Sequence, residues 1–277
     1  VRFVCKSNTS GTTLSEYPIF ALSEFSFNKL SFGESTTTPN QKIRYARLNK
    51  AIGVAQASNA LKPTGLVAEV TAAKNELNVH YLAAQRTAVP DDVTLTLTED
   101  QANPVLYFIH LTGRTDEGGS WHYQYKLLND GMIKLENTTT PATNIYNYWY
   151  FMENPRTGYV RLYAYTEPNA PMGYRSVTDG NSKITNVSTS ANPIVGYDYE
   201  VVASGNATRP VALKPAGYST YVSNHGGYTN YMGFYNSKTD GGTGFALVAA
   251  TTPTAGDKLI ELAQTYKTAP IQTRLAD

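Results

Sequence analysis

The sequence predicts a mainly β chain, and three observations carry that reading. From about Asn103 to Ala250, short apolar runs alternate with turns at roughly ten-residue spacing, and no helical period intervenes. Tyrosine dominates the aromatics, 21 against 9 phenylalanines. Its amphipathic ring lines a strand while its hydroxyl still reaches water or a ligand. Gly, Asn and Thr crowd the gaps between the apolar runs, as turns require.

Taken in order, residues 1–32 open with the apolar Val1–Val4, the turn KSNTSGTT and then PIFALSEFSFNKLSF. Phe20, Leu22, Phe25 and Phe27 alternate imperfectly with polar residues, which predicts one or two strands. Two strands do not bury a face alone, so they dock on the rest of the chain or end a β-domain that lies upstream. Residues 33–44 are a linker. The period then changes. Leu48, Ile52, Ala55 and Asn59 are spaced by three and four, and after the breaker KPTG so are Val67, Val70, Ala73, Leu77, Tyr81 and Ala84. The pair predicts an antiparallel helical hairpin over 45–90, with His80 at the edge of its apolar face. Residues 87–102 connect it onward through the β-like VTLTLT. A last amphipathic segment, DKLIELAQTYK, predicts a helix or linker over 256–268.

Within 103–250 the clearest strands are VLYFIHL, WHYQYKLL, MIKLEN, YWYFME, YVRLYAY, YDYEVVA, PVALKP, YSTYVSN, YMGFYN and FALVAA. NPVLYFIHLTG, NYWYFMENPRTGYVRLYAY and TNYMGFYNSKTDGGTGFALV echo one another, each placing aromatics and aliphatics before an Asn- or Gly-containing turn. About 145 residues in three units is about 48 each, which suits a three-lobed barrel, the β-trefoil. A β-sandwich is the alternative, because its turn signals are similar.

The same segments, with YKLLNDGMIKLENTTT, YSTYVSNHGG and GTGFALVAA, resemble the β-trefoil modules of secreted multidomain proteins from Bacteroides-like bacteria. In that family a two-helix element and a galactose-binding-like β-sandwich precede the trefoil, and PIFALSEFSF is similar to the closing strand of such a sandwich. The resemblance implies a non-catalytic accessory module of a secreted or cell-surface bacterial protein, a carbohydrate-binding or spacer module attached to a glycosidase, peptidase or adhesin. Its partners would be a glycan or a surface protein, together with neighbouring domains of a longer chain. Ricin-like trefoils carry Gln-x-Trp in each lobe; here Gln124 is followed by Tyr125 and Lys126, so those sugar pockets are not carried over. An interdomain scaffold or protein-interaction module is one alternative. A fragment of a glycosidase or peptidase whose active site lies outside this chain is another.

Composition narrows the chemistry. A net charge of +1 with scattered Lys and Arg gives no basic stripe for nucleic acid, and no apolar run is long enough for a transmembrane helix. Cys5 is the only cysteine, and His80, His110, His122 and His225 show no metal-ligand spacing, so neither cofactor nor metal is expected. No GxSxG nominates a nucleophile and no carboxylate pair stands out, so no catalytic residue is assigned.

Recognition has better candidates. On a strand, Trp121, Tyr123 and Tyr125 share one face, which is read first as core and second as a platform for the C–H face of a sugar. Trp149 of NYWYF is read as core, with Tyr148 and Tyr150 on the opposite face. The turn-rich stretch 218–236 gathers Asn224, His225, Tyr228, Asn230 and Tyr231 around Gly226 and Gly227, as ligand-binding candidates or a polar hairpin surface.

Overall fold

The computed structural model describes residues 48–54, 57, 67–114, 121–137, 144–224 and 231–253. The strands expected over 1–32 and the helix over 256–268 lie outside these. The chain is mainly β, with a curled antiparallel sheet and two helical segments. Residues 48–54 are helical, and the second arm of the expected hairpin is α1 (Val67–Ala84).

Twelve strands follow among the described residues. The first unit holds β1 (Leu106–Arg114), β2 (Trp121–Leu127), β3 (Ile133–Asn137) and β4 (Trp149–Glu153). The second holds β5 (Val160–Ala164), β6 (Gly173–Tyr174), β7 (Ile184–Thr185) and β8 (Tyr199–Ala203). The third holds β9 (Val211–Pro215), β10 (Tyr221–Ser223), β11 (Gly233–Tyr235) and β12 (Ala246–Ala250).

Within the first two units the first and last strands meet at a single pair, Tyr107↔Trp149 and Val160↔Tyr199, and in the third an isolated bridge, Val211↔Phe245, joins β9 to the residue before β12. Between units the ladders are longer. β4 pairs β5 from Trp149↔Ala164 to Glu153↔Val160, β8 pairs β9 from Tyr199↔Pro215 to Ala203↔Val211, and β12 pairs β1 from Leu106↔Ala250 to His110↔Ala246. The pairings thus return to the strand they start from. The remaining hairpins, β2–β3, β6–β7 and β10–β11, are tied to one another by Met132↔Thr185, Gly180↔Phe234 and Lys134↔Tyr231. A Cβ on Gly233 would overlap the Gly180 carbonyl oxygen, so two of these hairpins meet only because that residue is glycine.

Strand alternation builds the interior. Ile109, Trp149, Phe151, Val160, Leu162, Tyr199, Leu213 and Phe245 all point inward and are essentially inaccessible. Each such side chain contributes about 1.5–3 kcal/mol through burial. VTLTLT forms no strand. It runs extended with Val93, Leu95 and Leu97 buried, held by Thr98 N–H to the Phe151 carbonyl (2.7 Å) and by Thr96 N–H to the Tyr107 hydroxyl (3.0 Å).

Sparse pairing between β5 and β8 is reinforced by Asp198. Its carboxylate accepts from Asn154 Nδ2 (2.9 and 3.0 Å), Thr157 Oγ1 (2.8 Å) and Arg161 Nε (2.8 Å). Charge-assisted hydrogen bonds of this kind are roughly twice as strong as neutral ones.

Helix α1 docks on the β4–β5 turn, and the face it uses is rotated from the expected one. Ala73 and Ala83 are buried, with Glu76 and His80 between them, whereas Leu77, Tyr81 and Ala84 are only partly covered. His80 is half-buried, with Nε2 3.0 Å from Glu76 Oε1. Glu76 also accepts a two-pronged contact from Arg156 (3.1 and 3.0 Å). Desolvation raises the Glu76 pKa, but the hydrogen bond and charge of Arg156, then those of His80, outweigh it and hold the carboxyl below its ordinary range. Arg86 donates to the Thr157 carbonyl (2.6 Å) and lies 4.4 Å from the centre of the Tyr159 ring. Polar turn residues receive this helix, which explains why an apolar stripe was a poor guide to its docking face.

Candidate functional site

The face of the sheet opposite the core is also aromatic. Trp149 and Phe151 point inward, so Tyr148 and Tyr150 point outward, as period-2 alternation requires. There they meet Leu106 and Phe108 of β1, with Tyr163 and Tyr165 packed alongside. Tyr150 stacks on Tyr163 at 5.1 Å and 9°, and Phe108 meets Tyr148 edge-on at 4.7 Å. Such contacts contribute about 0.5–1.5 kcal/mol beyond their area.

Two members of this outer cluster, Tyr150 and Tyr165, border an open cleft of about 560 Å³. Tyr165, just past β5, supplies aromatic surface, with Tyr150 of β4 buried behind it. Ile145 and Tyr146 come from a single 3-10 turn, started by Asn144, whose side chain accepts the Tyr146 N–H at 2.9 Å. Gln101, Ala102 and Pro104 come from the turn before β1. Asp100 fixes that turn by accepting from Ala102 N–H (3.0 Å) and Asn103 Nδ2 (2.7 Å), and these two bonds, in that order, lower its pKa. Thr166, Glu167 and Pro168 form the opposite rim, on a turn closed by Glu167 N–H to the Ala164 carbonyl (3.1 Å).

Gln101 links the two rims. Its Nε2 donates to the Tyr150 hydroxyl at 2.8 Å and also to the Pro168 carbonyl. Burial raises the Tyr150 pKa, and the Gln101 hydrogen bond offsets only part of this. The cleft therefore offers ring faces, an amide and several hydroxyls in one concavity, with one acidic side chain at the edge. A second, smaller cleft of about 300 Å³ lies where the exit of α1 meets the barrel, beside Arg86, Tyr159, Tyr199 and Glu200.

The expected site residues are distributed differently. Tyr125 is 1% exposed, its ring 5.9 Å from Phe245, and burial pushes its phenol pKa far up. Core packing is thus the reading that holds at this position, because Tyr125 and Leu127 of β2 both turn into the core. Trp121 and Tyr123 lie on β2, paired with Arg114 and with Leu111 and Asn137; their side chains lie outside the described residues. Asn224 is buried, with its N–H on the Gly242 carbonyl (3.0 Å). Tyr231 is half-buried, with the Lys134 ammonium 5.7 Å from its ring centre. His225, Tyr228 and Asn230 lie outside the described residues. Of the candidates whose side chains are described, Tyr125, Asn224 and Tyr231, none lines the larger cleft. Its signal in the sequence was the second aromatic face of YWYF and LYAY, where Tyr148, Tyr150, Tyr163 and Tyr165 alternate with core residues.

Among the described residues no cluster of three His, Cys, Asp or Glu side chains is placed to hold a metal ion, and no helix is long and apolar enough to cross a membrane.

No family model and no curated protein matches the sequence. Solved structures similar to it include a ricin B-like lectin from Macrolepiota procera in complex with lactose. That match has 10% identity, covers 58% of this chain and 92% of the lectin, and has a TM-score of 0.32. They also include a salivary protein from Culex quiquefasciatus of the cysteine and tryptophan-rich family, at 14% identity, 59% and 100% coverage and a TM-score of 0.35.

Proposed function

We propose that the β region is a β-trefoil and that it serves as a non-catalytic carbohydrate-binding module. The trefoil reading is supported by the threefold pattern of pairings. Three units of four strands each close through one pair, longer ladders join the units, and three hairpins contact one another in a ring. The binding reading rests on the cleft beside Tyr146, Tyr150 and Tyr165. Sugar rings carry an apolar C–H face edged by hydroxyls, and this cleft pairs aromatic surface with amide, hydroxyl and carboxylate groups. Few convergent polar groups in a largely apolar concavity are what small-ligand sites generally show.

Glycan-array screening followed by calorimetric titration tests the proposal. Tyr165→Ala and Gln101→Ala should each weaken binding by about tenfold, a loss of about 1.4 kcal/mol, while the thermal transition confirms that both variants fold. An array without a single bound glycan would sink the proposal, and so would binding that both variants leave unchanged.

A scaffold role has one observation of its own. Glu76–Arg156 and Arg86–Thr157 fasten helix α1 to the β4–β5 turn, so the helical element and the barrel present themselves as one unit to adjoining parts of a longer chain. In that setting the module would be an accessory part of a secreted or surface protein.

A further inference from the structure

We infer that the tyrosine-lined cleft selects uncharged, hydroxyl-rich sugars and turns away acidic ones; the inference rests on the carbohydrate-binding reading above. Among the described residues, Glu167 is the one charged side chain lining the cleft, and neither lysine nor arginine lines it. Proteins that bind carboxylate, sulfate or phosphate groups usually meet them with Arg or Lys, whose donors match those oxygens. Here the fixed charge has the opposite sign.

Hydrogen-bond roles point the same way. The side-chain nitrogen of Gln101 is already engaged by the Tyr150 hydroxyl and the Pro168 carbonyl, so the amide presents its acceptor oxygen Oε1 to a ligand. Both oxygens of the Glu167 carboxylate are acceptors as well. Tyr150 lies buried behind the Gln101 amide, accepts from it, and is held protonated by burial, so it adds no negative charge to the cleft floor. Thr166 also lines the cleft, with its Oγ1 buried beneath the surface. The strongest acceptors outnumber the committed donors. A neutral sugar answers them with O–H groups. A uronic, sialylated or sulfated sugar brings further acceptors and a like charge beside Glu167.

Matched pairs of oligosaccharides, each neutral glycan beside its uronic, sialylated or sulfated counterpart, should be titrated calorimetrically at low and at physiological salt. The neutral member should bind at least about tenfold more tightly, since unit charges roughly 4 Å apart near a protein surface interact strongly enough for that. Glu167→Gln should narrow the gap, most visibly at low salt where screening is weakest, and should weaken the neutral member through loss of one acceptor. Equal or tighter binding of the acidic member overturns the inference while leaving the carbohydrate reading intact, and so does a gap that Glu167→Gln leaves unchanged. If neither member of any pair binds, the carbohydrate reading itself has failed and the selectivity falls with it.

Discussion

Tyr199 shows how a single buried hydroxyl shapes what the barrel tolerates. It is 1% exposed, its Oη makes no hydrogen bond among the described residues, and burial raises its pKa well above the ordinary phenol value. A buried hydroxyl without a partner bears a desolvation cost that its hydrogen bond does not return. Trp149 is the contrasting case. It is fully buried, and its indole Nε1 donates to the Tyr125 carbonyl at 2.9 Å, so the polar edge of the ring is satisfied. Two substitutions of similar appearance should therefore separate. Tyr199→Phe should leave stability unchanged or raise it by up to about 1 kcal/mol. Trp149→Phe should cost about 2 kcal/mol or more, since it opens space and removes the donor to a buried carbonyl. Urea unfolding of the two variants beside the parent checks both; a Tyr199→Phe loss comparable to that of Trp149→Phe would show that the Tyr199 hydroxyl is bonded in solution. Core status at Trp149 was legible from the trefoil-like pattern, which expects a hydrophobic residue there. Which way the stripe ending at Tyr125 turned was not, because period 2 assigns residues to a shared face without saying which face is inside.

At the scale of elements, long strands and their alternation were readable, whereas β6 and β7 were not. Gly173–Tyr174 and Ile184–Thr185 are two residues each, too short to carry any period, and they are held by the neighbouring hairpins through Met132↔Thr185 and Gly180↔Phe234. The cleft is not legible in the sequence for a related reason. Its residues come from three separate segments, and only the folded sheet brings 101–104, 145–150 and 165–168 together. Helix α1 existed in the pattern, but its docking face did not, because polar groups and one glycine decide it. Gly158 has φ +72°, and a Cβ there would stand 2.7 Å from the Ala83 carbonyl oxygen. Gly158→Ala would meet both the left-handed penalty, about 1–2 kcal/mol, and that close approach at the end of α1. Hydrogen exchange should accordingly speed up in α1 and in the β4–β5 turn before it changes in β9 and β12. Uniform loss of protection across the barrel, with α1 affected no more than the rest, would mean that Gly158 serves the turn alone.

The molecule as a whole is closed by pairings that link all three units, so its unfolding should be cooperative, and its buried tyrosines give a way to see this. Tyr174 is raised to about 12 by burial, with Asp198 and Tyr218 adding to the effect, and Tyr125 and Tyr199 are also raised well above the ordinary phenol value, mainly by burial. All three contribute to one hydrophobic core cluster, drawn from the first and second units of the chain. For a phenol whose folded pKa exceeds its unfolded value, the unfolded state loses its proton first. Stability is then fully present below about pH 10, the ordinary phenol value, and is lost as pH rises through the folded pKa. Between pH 10 and about 12, three such phenols together give a slope of up to about 4 kcal/mol per pH unit. A typical domain holds only about 5–15 kcal/mol, so the fold should collapse within a few units above pH 10. Far-ultraviolet circular dichroism and tyrosinate absorbance, followed together on raising the pH, should show exposed tyrosines titrating first. A final step in absorbance should then coincide with loss of β structure. Tyr199→Phe should shift that step to higher pH and make it shallower, because one proton fewer is released on unfolding. If instead every tyrosine titrates near pH 10 while the β signal persists, the three phenols are not enclosed as the core packing requires.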